Sequence, residues 1–201
     1  MKIRENVDLR PYNTFGISAN ARHFVEIESL DDLKEIRLLP FFRNFPCLIL
    51  GEGSNILFLR DYEGVVLKIS VRGVREVGQK GNEIWVEAMG GEKWRDLVKH
   101  TVEKGYGGLE NLSAIPGTVG AALVQNIGAY GVEVKDVVLF ADAFSLETGE
   151  EKRFLASECG FGYRDSIFKT SLKGKYAIGA ATFCLDADRK STRLNSSHVS
   201  Q

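Results

Sequence analysis

Pro46-Cys47-Leu48-Ile49-Leu50-Gly51-Glu52-Gly53-Ser54-Asn55 is the stretch on which the reading of this chain turns. A short apolar run, typical of a buried strand, leads into a turn of glycine and small polar residues. Glycine permits tight or left-handed backbone and clears side chains from the approach path. Successive N–H groups in such a turn can form a nest for an anion such as a pyrophosphate, and Ser54 and Asn55 add side-chain hydrogen bonds. The residues that follow argue against two common phosphate folds. Position 56 is isoleucine where a dinucleotide fingerprint needs glycine, and the strand-like run Ile56-Leu57-Phe58-Leu59 stands where that fold opens a helix. No Gly-Lys-Ser/Thr completes a P-loop. Taken alone, the turn serves equally well as a structural corner or a phosphate site.

On either side of it, residues 22–28 alternate like a strand. Ser29 then caps a helix with Asp31 and Asp32 in its first turn, where acids suit the helix dipole. Leu30, Leu33 and Ile36 keep helical spacing until Pro40 stops the pattern. Residues 64–69 read as another strand. This first lobe, residues 18–70, is strand, helix, strand, turn and strand, preceded by an N-terminal segment over residues 1–17.

The texture changes near residue 71, and residues 71–187 form the expected second lobe. A strand over 84–88 precedes an amphipathic helix over 93–104, with Trp94, Leu97, Val98 and Val102 on one side and Gly105 ending it. Strands are expected over 137–140 and 142–146. A turn at 147–150 makes a hairpin with 151–155, and 176–185 is a last strand. Residues 188–201 lose apolar periodicity, are rich in serine, and read as an extraneous tail.

Composition excludes several function classes. The net charge of −1 offers no basic excess for nucleic acid. No apolar run approaches the ~20 residues needed to span a bilayer, and the N-terminus lacks a signal-peptide core, so cytoplasmic residence is the expectation. Cys47, Cys159 and Cys184 lie far apart, with no C-x-x-C pair, and read as buried reduced thiols. His23, His100 and His198 are equally scattered, so no metal site and no serine–histidine relay is expected. Chemistry here would depend on a bound cofactor.

Two further stretches could carry it. Residues 109–131 hold Ile115-Pro116-Gly117, suited to a type II turn, and a short helix from about Thr118. Gly120, Ala121 and Ala122 give that helix a small face, for a flat ring system or another helix. Gln125-Asn126-Ile127-Gly128-Ala129-Tyr130-Gly131 is glycine-punctuated and polar, unlike a core element. Residues 161–169, Phe-Gly-Tyr-Arg-Asp-Ser-Ile-Phe-Lys, present Arg164, whose guanidinium can clamp a carboxylate with two hydrogen bonds or pair on the surface with Asp165 or a nearby acid.

Together with Asn13-Thr14-Phe15-Gly16, these stretches resemble the UDP-N-acetylenolpyruvoylglucosamine reductases in order and spacing, over residues 8 to about 186. The resemblance implies an α+β, two-lobed FAD-binding fold of the vanillyl-alcohol-oxidase (PCMH) type. It implies FAD held non-covalently, NADPH as reductant, and reduction of the enolpyruvyl ether of UDP-N-acetylglucosamine to UDP-N-acetylmuramate for peptidoglycan. Gly51, Glu52, Gly53, Ser54 and Asn55 would hold the pyrophosphate. Ile115, Pro116, Gly117, Gly120, Ala121, Gln125, Asn126, Gly128 and Ala129 would border the flavin. Tyr130, Tyr163 and Arg164 would face the UDP-sugar, and Arg164 would be catalytic, because enolate-like charge spreads into the substrate carboxylate during reduction. The family's proton-donating serine and assisting glutamate lie in a C-terminal substrate domain, which is expected to be missing from this chain and to leave it able to bind FAD but catalytically incomplete. The rival expectations are another FAD-dependent oxidase of the same superfamily, or a flavin-binding fragment without activity.

Overall fold

The computed structural model describes residues 1–188. In chain order the strands and helices are β1 (Lys2–Asp8), β2 (Asn20–Ile27), α1 (Leu30–Glu35), β3 (Cys47–Leu50), β4 (Tyr62–Ile69), β5 (Val74–Lys80), β6 (Glu83–Met89), α2 (Trp94–Glu103), α3 (Val119–Val124), β7 (Gly128–Ala129), β8 (Val132–Glu133), β9 (Val138–Ser145), β10 (Glu151–Leu155) and β11 (Tyr176–Asp186). The expected tail lies outside the described residues, except for Asp188.

The first sheet has the order β1-β2-β4-β3. β1 runs antiparallel to β2, whereas β2 and β3 both run parallel to β4. The parallel strands therefore place the Gly51 turn at a carboxyl end of the sheet. α1 starts as its sequence dictates. The amide of Asp32 donates to Ser29 Oγ at 3.1 Å and that of Ser29 donates to Asp32 Oδ2 at 3.2 Å, a reciprocal capping box. Leu33 and Ile36 are fully buried beneath the sheet.

The second sheet is antiparallel throughout, in the order β10-β9-β11-β6-β5. α2 buries Trp94, Leu97, Val98 and Thr101 against it. The Trp94 indole N–H donates to the Leu112 carbonyl at 2.9 Å, so a large apolar ring is buried without stranding its polar end. Gly105 ends α2 at φ 82°.

Several expectations need correcting. Residues 56–59 are not a strand. Phe58 packs inward while Leu57 and Leu59 are exposed, so the alternation is real, but no neighbouring strand pairs with it. β3 is an edge strand and only half buried, not a buried one. The strands expected over 137–140 and 142–146 are one strand, β9. Ala141 continues the ladder, opposite Phe154 on β10 and Ala181 on β11. β1 and β5 were not anticipated. Both are polar strands at sheet edges, where one side of the ladder has no partner.

The two sheets share a core. One buried cluster joins Val25, Ile27, Leu33, Ile36, Val65 and Leu67 of the first sheet and its helix to Phe144, Leu146 and Ala177 of the second sheet region. A Cβ at Gly179 would lie 2.5 Å from the Phe144 ring and 3.0 Å from Leu30, so glycine lets β11 approach this junction.

Candidate functional site

The turn after β3 is the first candidate binding element. Gly53 adopts φ 71°, and a Cβ there would meet the Tyr12 carbonyl oxygen at 2.0 Å. The N-terminal segment thus packs directly on the turn, and the Thr14 amide donates to the Gly53 carbonyl at 3.2 Å. The N–H groups of Glu52, Gly53, Ser54 and Asn55 donate to no acceptor among the described residues. Gly53 is buried and Glu52 and Ser54 are half-buried, and buried amides are normally paired, so this run of free donors is a candidate site for an acceptor-rich ligand. The Gly51 carbonyl, in contrast, is engaged: Lys68 Nζ donates to it.

Opposite the turn stands the second sheet's contribution. Glu52 accepts the Gly117 amide at 2.9 Å, which ties the turn to the Pro116-Gly117 corner, and Lys93 Nζ lies 4.0 Å from the same carboxylate. Gly117 has φ 124°, in the region that favours glycine, but the chain bends there without closing the expected type II turn, since no hydrogen bond joins the Thr118 amide to the Ile115 carbonyl. α3 follows at once. The Gly120 amide donates to the Gly90 carbonyl at 2.8 Å, and a Cβ on Gly120 would lie 3.1 Å from that oxygen. The small face of α3 is therefore divided. Gly120 is small because β6 and β11 press on it, while Ala121 faces open space beside Gly51 and Asn55.

Two adjoining clefts result. The first, about 360 Å³, is lined by residues 47–56 together with Gly90, Thr118, Gly120, Ala121, Gln125, Lys169, Lys173 and Tyr176, among others. The second, about 700 Å³, is lined by Ile115, Pro116, Ala121, Gln125, Asn126, Gly128, Ala129, Tyr163 and Arg164, among others. Ser54, Asn55, Ala121 and Gln125 belong to both. Of the residues assigned from sequence, only Gly117 and Tyr130 line neither cleft. Gly117 bonds to Glu52 behind the turn, and Tyr130 stands 87% exposed at the tip of a hairpin. Sequence reasoning assigned no role to Gly90, Thr118, Lys169, Lys173 or Tyr176. The Gly90-Gly91 pair between β6 and α2 was the one available signal.

Gln125 links the clefts. Its Oε1 accepts from Asn55 Nδ2 at 3.0 Å and from Arg164 Nη2 at 3.4 Å. Arg164 adopts φ 51° in a tight turn closed by paired backbone bonds between Gly162 and Asp165. That position normally wants glycine. Its guanidinium has no carboxylate within ion-pair distance among the described residues, so the surface pair with Asp165 does not form. Lys169 Nζ donates to the Arg164 carbonyl at 2.7 Å and Ser166 Oγ donates to the Val124 carbonyl at 2.8 Å, which fix the turn from both ends.

Asn126 and Tyr130 also have positive φ, 41° and 53°. Of the four such non-glycine residues among the described residues, Asn126 and Arg164 line the second cleft and Tyr130 turns the adjoining hairpin, a grouping of backbone strain that marks candidate functional sites. Asn126 is buried. Its amide donates to the Gly162 carbonyl at 2.9 Å and to Glu133 Oε2 at 3.2 Å, and its Oδ1 accepts from the Lys135 amide at 3.1 Å. It braces the loop carrying Arg164 against β7 and β8. Tyr130 and Gly131, both at positive φ, form the two-residue turn between those strands.

The side chains of the site are suited to binding and orienting charge. Cys47 lines the first cleft, but burial pushes its thiol up to about 12, which makes it a poor nucleophile. All three cysteines are free. Among the described residues, no group of three or more His, Cys, Asp or Glu could hold a metal, and no helix is long and apolar enough to cross a membrane. Donor amides, unpaired cations and a small apolar wall together suit a flat ring system bearing a pyrophosphate, beside a second anion.

Comparison with known proteins agrees with that geometry. Residues 21–154 match the model of a family described as an FAD binding domain. The UDP-N-acetylenolpyruvoylglucosamine reductase of Neisseria meningitidis serogroup B is 50% identical over 184 residues, covering 91% of this chain and 53% of that protein. The one from Chromobacterium violaceum is 47% identical over 186 residues, covering 92% and 54%. The chain thus spans about half the length of the curated relatives it matches. Among solved structures, the UDP-N-acetylenolpyruvylglucosamine reductase of Thermus caldophilus superimposes with a TM-score of 0.76 at 26% identity, over 97% of this chain and 66% of that one. A solvent-stable cholesterol oxidase superimposes with a TM-score of 0.59 at 14% identity, over 84% and 36%, a likeness of fold alone.

Proposed function

The chain belongs to the FAD-binding domain family, and from that premise we propose that it is the cofactor-holding part of a reductase that converts UDP-N-acetylenolpyruvoylglucosamine to UDP-N-acetylmuramate in the cytoplasm, with NADPH as reductant. Its α+β architecture is the two-lobed, vanillyl-alcohol-oxidase-type flavin fold. The observation that carries the proposal is the run of four unpaired amides, Glu52 to Asn55, set across a cleft from Ala121 and beside an arginine with no carboxylate partner.

The residues fit FAD. The free amides and the Ser54 and Asn55 side chains offer donors to a pyrophosphate. Ala121 and the Pro116 corner leave a small-residue wall for the isoalloxazine ring. FAD, when bound, supplies hydride chemistry that the described side chains lack. Arg164 then receives the enolpyruvyl carboxylate, and its fixed cation is worth most when negative charge spreads into that group. Gln125 keeps the guanidinium at the junction of the clefts, and Lys169 fixes the backbone beneath it. Protonation of the adjacent carbon is assigned to a serine of the family's substrate domain.

The first test is the visible spectrum of the purified 201-residue chain after FAD is added and the excess removed. A retained flavin band is the expected result. A folded, colourless protein would overturn the assignment of the cofactor.

A further inference from the structure

We infer that Lys68 is the positioning residue of the phosphate turn, holding the Gly51 carbonyl from behind so that the turn's amides face the cleft. The inference rests on the reading that this turn binds the pyrophosphate of FAD.

Lys68 lies on β4, in register with Leu50, the last residue of β3. Its side chain therefore rises beside the point where the chain leaves the sheet. Nζ donates to the Gly51 carbonyl, yet Lys68 does not line the cleft. The described residues hold no cis peptide bond. In a trans peptide the C=O and N–H point in opposite directions. A carbonyl drawn toward Lys68 turns the Glu52 N–H the other way, toward the cleft side. Thr118 and Ala121 pack close on the turn at this point: a Cβ on Gly51 would lie 2.7 Å from Thr118 Oγ1 and 3.3 Å from the Ala121 methyl, so only glycine fits there. The first amide of the nest is thus aimed by a side chain that the ligand need not touch.

The location is costly for a cation. Burial pushes the Lys68 ammonium below the ordinary lysine range. Glu26 and Glu52 oppose that shift, and Arg72 and Lys93 add to it. The carbonyl it caps has no other donor among the described residues. An aliphatic side chain would fill the same position at no desolvation cost. The lysine is explained by what it does to the turn: it satisfies the inward carbonyl and places positive charge behind a row of donors that await an anion.

The test compares two flavins, one of which lacks the pyrophosphate together with the adenosine it carries. Dissociation constants for FAD and for riboflavin, which has no phosphate, would be measured by flavin fluorescence in the wild-type chain, K68M and K68R, with thermal unfolding followed in parallel. K68M is expected to weaken FAD about tenfold or more, the scale of a lost charged hydrogen bond, and to leave riboflavin within about twofold. K68R should recover most of the FAD affinity. K68Q, which keeps a donor without the charge, replaces K68M if that variant does not fold, and should fall between it and wild type. If a folded variant retains the wild-type preference for FAD over riboflavin, Lys68 does not position the turn. Loss of both ligands by the same factor would overturn it too, since that is the mark of a general structural role. A folded wild-type chain that binds FAD no better than riboflavin would instead remove the parent reading of the turn, and this assignment with it.

Discussion

Glycine at position 53 has two requirements to meet at once, and neither could be read from its neighbours in sequence. Its φ of 71° suits residues without a Cβ, and the space a Cβ would take is filled by the Tyr12 carbonyl oxygen at 2.0 Å and by Asn13 Cα at 2.9 Å. Both contacts come from a segment some forty residues earlier in the chain. Gly53→Ala is expected to cost about 1–3 kcal/mol from backbone strain alone, and more because backbone, not a flexible side chain, must yield. The same shift would misalign the free amides of Glu52, Ser54 and Asn55. Chemical denaturation should show the loss of stability, and the retained flavin band should fall with it. An alanine variant with wild-type stability would mean that the N-terminal segment does not pack on the turn as described. The glycines and small residues of the turn were legible as a tight corner or a candidate phosphate site. That Glu52 accepts the Gly117 amide and spans to the second sheet was not, because its partner lies 65 residues away. Arg164 was legible as a candidate clamp from its chemistry, but not its left-handed backbone, which follows from the closed Gly162–Asp165 turn.

At the scale of elements, local chemistry wrote some features into the sequence and tertiary partners supplied the rest. α1 was readable because a capping box is a local device: Ser29 and Asp32 are three residues apart and satisfy each other's amides. Ser29→Ala is expected to lower stability by about 1 kcal/mol. Thermal unfolding reads this directly, and the variant should keep its flavin, since α1 packs beneath the first sheet and lines neither cleft. A Ser29→Ala chain as stable as wild type would show that tertiary packing alone holds α1. α2 was readable for a similar reason, with an apolar stripe and a glycine stop. β1 and β5 were not, since their stability comes from ladder bonds to β2 and β6 and their side chains are mostly exposed and polar. Residues 56–59 fail in the opposite direction. Their apolar alternation satisfies the strand pattern, but a strand also needs a neighbour, and sequence periodicity contains no information about that.

For the molecule as a whole, the shared core decides whether the two sheets behave as one body. Phe144 belongs to β9 of the second sheet, is fully buried, and packs in the cluster formed by Val25, Ile27, Leu33 and Leu67 of the first sheet and its helix. The cradle and the wall of the cleft come from opposite sides of this junction, so a cofactor held between them needs both sheets in place. Cooperative unfolding in one transition follows from that arrangement. The chain allows a clean check, because its two tryptophans, Trp85 on β6 and Trp94 on α2, both report the second sheet. Far-UV circular dichroism reports both sheets. The two signals should give the same midpoint in denaturant. Phe144→Ala is expected to lower stability by about 3–5 kcal/mol and to move both curves together, since the cavity opens at the junction and not within either sheet. If tryptophan fluorescence and circular dichroism separate in the wild-type chain, the sheets unfold independently. The bonds from Gly117 to Glu52 and from Asn55 to Gln125 would then be contacts that close the cleft, and flavin binding would be expected to bring the two signals back to one midpoint.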